Sequence, residues 1–498
     1  MSGTIGKALV LFIIPFVLYV SLLPFMPLME PDESRYSLIS RSMNKSGDYV
    51  TPRLKEAVYI EKPPLAYWAT ALSFKIFGEN EFSSRLFAGL CAWASILLVY
   101  RIGTAFQDYH TGLYGAAVLT ISLFHFAIGR INILDMPVAF FMSLSLWAGY
   151  RYYADTDNKR WIYLFYLSSA LAFLTKGLIG IVLPGAIILI WLFSVKRWRE
   201  TYKLLSPTGI VMFLALSLPW VFLIQKAHPD FFRFFFVQEH FQRYTTTINH
   251  HTGPLYFYAP VIIAGTLPWS AFLIKALKGK GWGRIKDKLF RKEETVFLLV
   301  WIGFITLFFS FSSSKLIPYI ASIFLPLSLF GGRVFHLYDE QNYVIKKTGG
   351  NWFITVYIVS ALFLAVTVFP LSNFMAQRKS AYLLTQAIKR YVPAGHELYQ
   401  YGMSLYGIDF YGKMRTPIVD DIGEVYYGSQ FLPVAERSHY FLNSEEFFKL
   451  AGRQEVVYCA TKGQERLDRL RKEVPHLTVL WDNKHYYLVR LENSKGSQ

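Results

Sequence analysis

Glu30-Pro31-Asp32-Glu33-Ser34-Arg35-Tyr36 sets two adjacent carboxylates directly after an uncharged run from Ala8 to Met29. A run of about 20 apolar residues crosses a bilayer, so these acids emerge at the membrane surface. There Asp32 could act as a general base on an acceptor held in the lipid. As an acid in the first turn of a helix over Glu33–Met43, it would equally serve as a cap that suits the helix dipole. Further on, Glu61-Lys62-Pro63-Pro64 holds a lysine in extended backbone, because paired prolines fix φ and stop a preceding helix. A compact ammonium at the lipid boundary suits a phosphate, and snorkelling is the alternative use of the same side chain.

Three later segments add to the set. Asp135, in Arg130-Ile131-Asn132-Ile133-Leu134-Asp135-Met136-Pro137, stands just ahead of an apolar run. It is either a helix N-terminal acid or a second carboxylate working with Asp32. The loop Gln238-Glu239-His240-Phe241-Gln242-Arg243-Tyr244, continued by Asn249-His250-His251, offers three histidines that could ligate a divalent cation. Their spacing fits no standard zinc signature, and surface hydrogen bonding accounts for them as well. Arg243 has the forked guanidinium that binds phosphate bidentately. Ser312-Ser313-Ser314-Lys315-Leu316-Ile317-Pro318-Tyr319 brings one more lysine and a tyrosine to the entrance of an apolar run.

What positions these residues is a stack of apolar segments. The chain has 498 residues, 53% of them hydrophobic and 18% aromatic, which is too apolar for an ordinary soluble enzyme. Beyond the first run, further ones recur at roughly 84–100, 112–128, 136–150, 161–174, 178–195, 209–225, 254–274, 295–312, 316–332 and 351–371. About eleven spans follow, an odd number, and the first reads as a span rather than a cleaved signal peptide because it is long and no small-residue cleavage site follows. Basic residues gather in 275–292, in Lys196-Arg197-Trp198-Arg199 with Lys203, around Arg151, Lys159 and Arg160, and at Lys346-Lys347. Threaded in order, all fall on one side, cytoplasmic by the positive-inside rule. The net charge of +17 therefore reports membrane orientation and attraction to anionic lipid, not nucleic-acid binding. The other side receives 30–85, 130–135, 226–253, 312–315 and everything after Leu371, and with them all the candidate chemistry.

From about Ser372 the composition becomes charged and balanced. Strand-like runs (397–401, 455–460, 478–481, 485–491) alternate with helical ones (381–391, 445–450, 463–473), which predicts a soluble α/β domain on the non-cytoplasmic face. The expected organisation is a transmembrane domain over 1–371, with a large external loop at 30–83, and an α/β domain over 372–498. No phosphate-cradling glycine motif supports nucleotide binding. Two cysteines, Cys91 and Cys459, make neither a disulfide framework nor a CxxC metal pattern.

Several motifs resemble the bacterial aminoarabinose transferases in type and order. They are Pro31-Asp32-Glu33-Ser34-Arg35-Tyr36, 46–54 (Ser-Gly-Asp-Tyr-Val-Thr-Pro-Arg-Leu), Tyr59-Ile60-Glu61-Lys62-Pro63-Pro64, Leu134-Asp135-Met136-Pro137, Glu239-His240-Phe241-Gln242-Arg243, Leu267-Pro268-Trp269 and Lys315-Leu316-Ile317-Pro318-Tyr319. The family belongs to the GT-C glycosyltransferases that use lipid-linked sugars and is related to protein O-mannosyltransferases. The resemblance implies a polytopic α-helical membrane protein of about 11–13 transmembrane helices with a C-terminal soluble α/β domain. It implies an undecaprenyl-phosphate sugar donor, lipid A or a related envelope acceptor, and a site on the periplasmic face of the bacterial inner membrane. By motif position it makes Asp32 the catalytic carboxylate and Asp135 the second acid. Lys62 becomes the donor-phosphate ligand, Arg243 and Tyr319 further phosphate contacts, and Lys315 completes a cationic set. Glu61 with His240 or His251 would be the site of a divalent cation (Zn, or Mg/Mn). Two departures, Pro63-Pro64 for a single proline and the place of Pro318, touch none of these residues. They leave room for a galacturonosyl or hexosyl donor.

The chemistry implied is displacement at an anomeric carbon with a lipid phosphate leaving. Cations stabilise the departing charge, and a carboxylate steers or deprotonates the acceptor. The rival of another class is a lipid-carrier transporter, which would place ionisable groups within the spans. Here the spans are nearly free of charge, with Lys176 the main exception. A protein O-mannosyltransferase is the enzyme rival.

Overall fold

The computed structural model describes residues 4–242, 253–278, 288–346, 351–474 and 476–493. The chain divides into two compact units: Met1–Leu23 with Glu61–Ala66 and Arg85–Thr367, and Pro24–Ile60 with Tyr67–Ser84 and Val368–Gln498.

The first unit is helical. Among the described residues, six helices of the chain are long and apolar enough to cross a membrane: Ile5–Phe25, Glu81–Phe106, Pro207–Ala227, Lys292–Phe311, Ile317–Glu340 and Trp352–Arg378. Helices satisfy every backbone polar group within one segment, which is what hydrocarbon demands. Their outward residues stay apolar: Phe222, Phe311 and Phe363 are each more than half exposed, as lipid-facing side chains would be. The remaining apolar runs fold as shorter or interrupted helices, Tyr109–Ile121 with Leu123–Ile128, Arg160–Lys176, Ile179–Ser194, and Tyr258–Gly265 with Trp269–Lys278. Two of the interruptions meet, and the Leu123 amide donates to the Leu267 carbonyl at 3.1 Å, so the broken backbone is satisfied across the gap. Trp269 then stacks on Phe353 with centroids 4.7 Å apart. Close helix packing depends on paired glycines. A Cβ on Gly332 would lie 2.3 Å from the Gly115 nitrogen, so only glycine lets Phe324–Lys346 and Tyr109–Ile121 approach this closely.

The second unit is built on a six-stranded sheet of order β5-β4-β3-β6-β8-β7, after a two-stranded hairpin of β1 (Arg53–Leu54) and β2 (Ala57–Val58). The strands are β3 (Leu398–Tyr401), β4 (Ile418–Val419), β5 (Phe441–Leu442), β6 (Val456–Lys462), β7 (His476–Asp482) and β8 (Tyr486–Glu492). β3 to β6 pair in parallel, while β8 runs antiparallel to both β6 and β7. Side-chain alternation gives the sheet two buried faces. Tyr399, Tyr401, Val457 and Cys459 pack with Phe447 and Leu467 on one, and Leu398, Tyr458 and Ala460 with Leu384 and Ile408 on the other. Burial pushes the Cys459 thiol well up, so it serves as a small core side chain.

The segments 24–60 and 67–84 cluster with this sheet region. Their helix Asp32–Ser46 ends on Gly47, left-handed at φ 73°, whose amide closes on the Met43 carbonyl at 2.9 Å. Buried Lys55 pairs with Asp409 and donates to the Thr416 carbonyl at 2.8 Å. Arg41 donates to the carbonyls of Asp409 (3.0 Å) and Phe410 (2.9 Å). Glu30 accepts from the amides of Gly407 (2.6 Å) and Tyr406 (3.1 Å) at the start of Tyr406–Gly412. Gly428 passes so near β2 that a Cβ there would fall within bonding distance of the Val58 carbonyl, which excludes any side chain.

Candidate active site

Asp32 is the first residue of its helix, and the residue in the N-cap position is Pro31, which has no side chain to cap with. The Asp32 carboxylate does not cap a backbone amide. It pairs with Arg35, one turn on at i,i+3, and is 52% exposed while Arg35 is 5% exposed. Arg35 also pairs with Glu424, whose carboxylate accepts from the Tyr59 hydroxyl at 3.2 Å. The guanidinium lies over the rings of Tyr36 (5.1 Å) and Tyr59 (5.8 Å). Burial works against its charge, yet Tyr59, Tyr36 and Asp32 hold its pKa above the ordinary value. Asp32 is thus an ionisable group half in solvent, fixed from beneath by a permanent cation. Glu33 is fully buried and accepts from the Met29 amide at 3.0 Å, which makes it the structural acid of the pair.

Two of the ion pairs in the helical unit involve candidate residues. Lys62 donates to the Glu239 carboxylate at 2.6 Å and to the Glu61 carbonyl at 3.1 Å. Asp135 opens the helix Asp135–Ala154 and accepts from Lys176 at 2.5 Å, at the last turn of Arg160–Lys176. The Lys176 ammonium also lies 4.9 Å from the centre of the Tyr319 ring. All four charged groups are only 14–16% exposed. Lys315 turns back on its own loop and donates to the Ser312 carbonyl at 2.7 Å, and the Tyr258 hydroxyl closes the same turn on the Leu316 carbonyl at 3.2 Å.

The structure therefore gathers Asp135 and Tyr319 around Lys176, and holds Lys62 on Glu239. Arg243 and His251 lie outside the described residues, as does the side chain of His240. Among the described residues no group of three His, Cys, Asp or Glu side chains is placed to hold a metal ion. Glu61 is half-buried beside Lys62, and the expected divalent-cation site rests otherwise on residues that are not described. Four partners escaped the reading of the sequence. Arg35 sits one helical turn from Asp32, a signal that was available. Lys176 was the conspicuous charge among the spans, and threading puts it on the side of Asp135. Glu239 belonged to a loop already singled out for its histidines. Glu424, almost four hundred residues from Arg35, carried no signal.

Known proteins resemble the chain in sequence and in fold. The profile of the family described as dolichyl-phosphate-mannose-protein mannosyltransferase matches residues 61–222. The undecaprenyl phosphate-alpha-4-amino-4-deoxy-L-arabinose arabinosyl transferase of Enterobacter sp. (strain 638) is 32% identical over 359 residues, 71% of this chain and 64% of that protein. That of Proteus mirabilis (strain HI4320) is 33% identical over 350 residues, 68% of this chain and 62% of that protein. In sequence the chain is thus similar to the aminoarabinose transferases. The matched part spans less than two thirds of the length of these relatives. In fold, the chain is similar to the crystal structure of ArnT from Cupriavidus metallidurans bound to undecaprenyl phosphate. The TM-score is 0.79 with 22% identity, over 98% of both chains. With six helices long and apolar enough to cross a bilayer among the described residues, the chain is a multi-pass membrane protein.

Proposed function

We propose that the chain is a membrane glycosyltransferase that moves 4-amino-4-deoxy-L-arabinose from an undecaprenyl-phosphate carrier to lipid A or a related envelope glycolipid. The reaction would take place at the periplasmic face of the bacterial inner membrane. The observation that carries the reading is the exposed Asp32 carboxylate, held on a buried arginine, in a chain whose relatives bear the arabinosyl transferase name. On this reading Lys62 exchanges its bond to Glu239 for the donor phosphate and offsets the charge that develops as the lipid phosphate leaves. Lys176, which also lies against the Tyr319 ring, holds the Asp135 carboxylate in place. If the acceptor is a phosphate it is already ionised near neutral pH, so Asp32 orients the attacking oxygen more than it deprotonates it.

A second reading has its own support. The profile over 61–222 belongs to enzymes that mannosylate proteins, so a hexosyl donor and a protein acceptor are the alternative. Mass spectrometry of lipid A and of secreted proteins, from cells with and without the chain, separates them. A gain of one aminoarabinose on lipid A supports the first. Unchanged lipid A with newly glycosylated proteins refutes it and favours the second.

A further inference from the structure

One buried guanidinium in the sheet-containing unit carries two carboxylates that both reach solvent. The terminal nitrogens of Arg35 divide them, Nη2 pairing with Asp32 and Nη1 with Glu424. Asp32 is the proposed reacting carboxylate, and Glu424 stands beside it with no part in that chemistry. The parallel sheet brings Glu424 there. It follows β4, at the carboxyl end of the strand, where open α/β sheets present their loops to ligands. It lies in a short 3-10 turn, Gly423–Val425, which Gly423 enters at φ 53°, a backbone that glycine adopts freely. Val425 is fully buried, and Gly428 packs on the Val58 carbonyl of β2, so the turn is anchored to the hairpin.

The Glu424 carboxylate is held at one oxygen. Arg35 and the Tyr59 hydroxyl (3.2 Å) both meet Oε2, which leaves Oε1 with its lone pairs. In a side chain 46% exposed, that oxygen is open to a ligand. The charges point the same way. Asp32 and Glu424 bring two negative charges to one guanidinium, and no second cation pairs with either among the described residues. The Arg35 Nε is buried without an acceptor, so the guanidinium forgoes internal saturation while its terminal nitrogens hold two exposed acids. Half-exposed acids add little to stability, so folding alone does not account for the arrangement. A residual charge of one, with an open acceptor beside the reacting carboxylate, suits a single cation that donates hydrogen bonds.

We propose that Glu424 selects the sugar of the donor by accepting from its protonated amino group, with Arg35 and Tyr59 positioning the carboxylate. The inference rests on the proposed transfer of an amino sugar and names the residue that chooses it. An ammonium closes the charge balance. A neutral hexosyl donor leaves Oε1 unpaired, and a galacturonosyl donor brings a third negative charge.

The test uses the full-length protein in detergent and two undecaprenyl-phosphate donors. One carries 4-amino-4-deoxy-L-arabinose, the other L-arabinose, with a neutral hydroxyl in place of the ammonium. Calorimetric titration should show the wild type binding the amino donor about tenfold or more tighter than its hydroxyl counterpart. In Glu424→Gln, an isosteric and uncharged change at a half-exposed side chain, that preference should fall close to unity. Because both donors share carrier, phosphate and ring, the ratio is insensitive to a general loss of binding. A wild type without preference, or a variant that keeps the full preference, overturns the proposal. Addition of lipid A separates this proposal from the one it rests on. Preferential binding of the amino donor without transfer of its sugar refutes the transferase reading and leaves the selectivity of Glu424 supported. Transfer of both sugars at equal kcat/KM refutes the selectivity and leaves the transferase reading standing.

Discussion

The candidate charged groups of the two units, Asp135 and Lys62 in one and Asp32 in the other, are held in opposite ways. In the helical unit the two pairs at candidate residues, Asp135 with Lys176 and Lys62 with Glu239, are each an acid and an amine closed on each other, and no member is more than 16% exposed. Around Asp32 in the sheet-containing unit the cation is hidden and the acids are not: Arg35 is 5% exposed, while Asp32 and Glu424 are 52% and 46% exposed. A closed pair in an apolar setting cannot lose one member without stranding the other. An exposed acid on a buried cation can meet a substrate while Glu424 continues to pair with that cation. The difference teaches which residues organise and which are free to react. Asp135 belongs to the first kind and Asp32 to the second, although their sequence settings, each an acid opening a helix, are alike.

Breaking the closed pairs should have the largest effect on stability. Lys176→Met alone leaves Asp135 without its cation and is expected to cost about 3 kcal/mol. Adding Asp135→Asn should recover part of that loss. Thermal unfolding in detergent checks this, and a double variant no more stable than the single would mean the two do not act as a pair. Next comes Lys62→Ala, expected to weaken donor binding by about tenfold or more, as the loss of one charge-assisted bond to phosphate would. Its readout is titration with the polyprenyl-phosphate donor, and unchanged affinity removes Lys62 from the donor site.

A third expectation sharpens the contrast through pH. Burial pushes the Glu30 carboxyl from its ordinary 4.5 up to about 8, against the opposing bonds from Gly407, Ser34 and Tyr406. Because the folded value is raised, the stabilisation is complete below the ordinary value and is lost as pH climbs through about 8. Between about pH 6 and about pH 9 the melting temperature of the wild type should fall further than that of Glu30→Gln. Parallel curves would remove Glu30 as the titrating group. The smallest effect belongs to Glu424→Gln, within about 1 kcal/mol because the acid is half in solvent and Arg35 keeps Asp32. A large loss of stability there would break the distinction between the two units.

Much of this was legible in the sequence, and for physical reasons. Apolar length marked the spans. Strand and helix periodicity marked β3, β6, β7 and β8 and the helices Tyr382–Tyr391, Ser444–Ala451 and Gln464–Glu473. The two-residue strands β4 and β5 were missed because a pattern of period two needs more than one repeat to be seen. The helix predicted over Glu33–Met43 proved one turn longer, since Gly47 and not Met43 ends it. Asp32, Asp135 and Lys62 stood out as charges at the ends of apolar runs. Their partners did not, because an ion pair such as Arg35 with Glu424 depends on a chain path that local pattern does not encode. The clustering of 24–60 and 67–84 with the C-terminal sheet was invisible for the same reason, its bonds joining residues such as Lys55 and Asp409.

The most direct measurement reconstitutes the purified chain in proteoliposomes with undecaprenyl-phosphate aminoarabinose and lipid A, and follows the mass of lipid A for the wild type and Asp32→Asn. Transfer by the wild type, with a loss of about a thousandfold in the variant and an unchanged melting temperature, is the expected result. Transfer by Asp32→Asn at close to the wild-type rate would contradict the assignment of Asp32 as the reacting carboxylate.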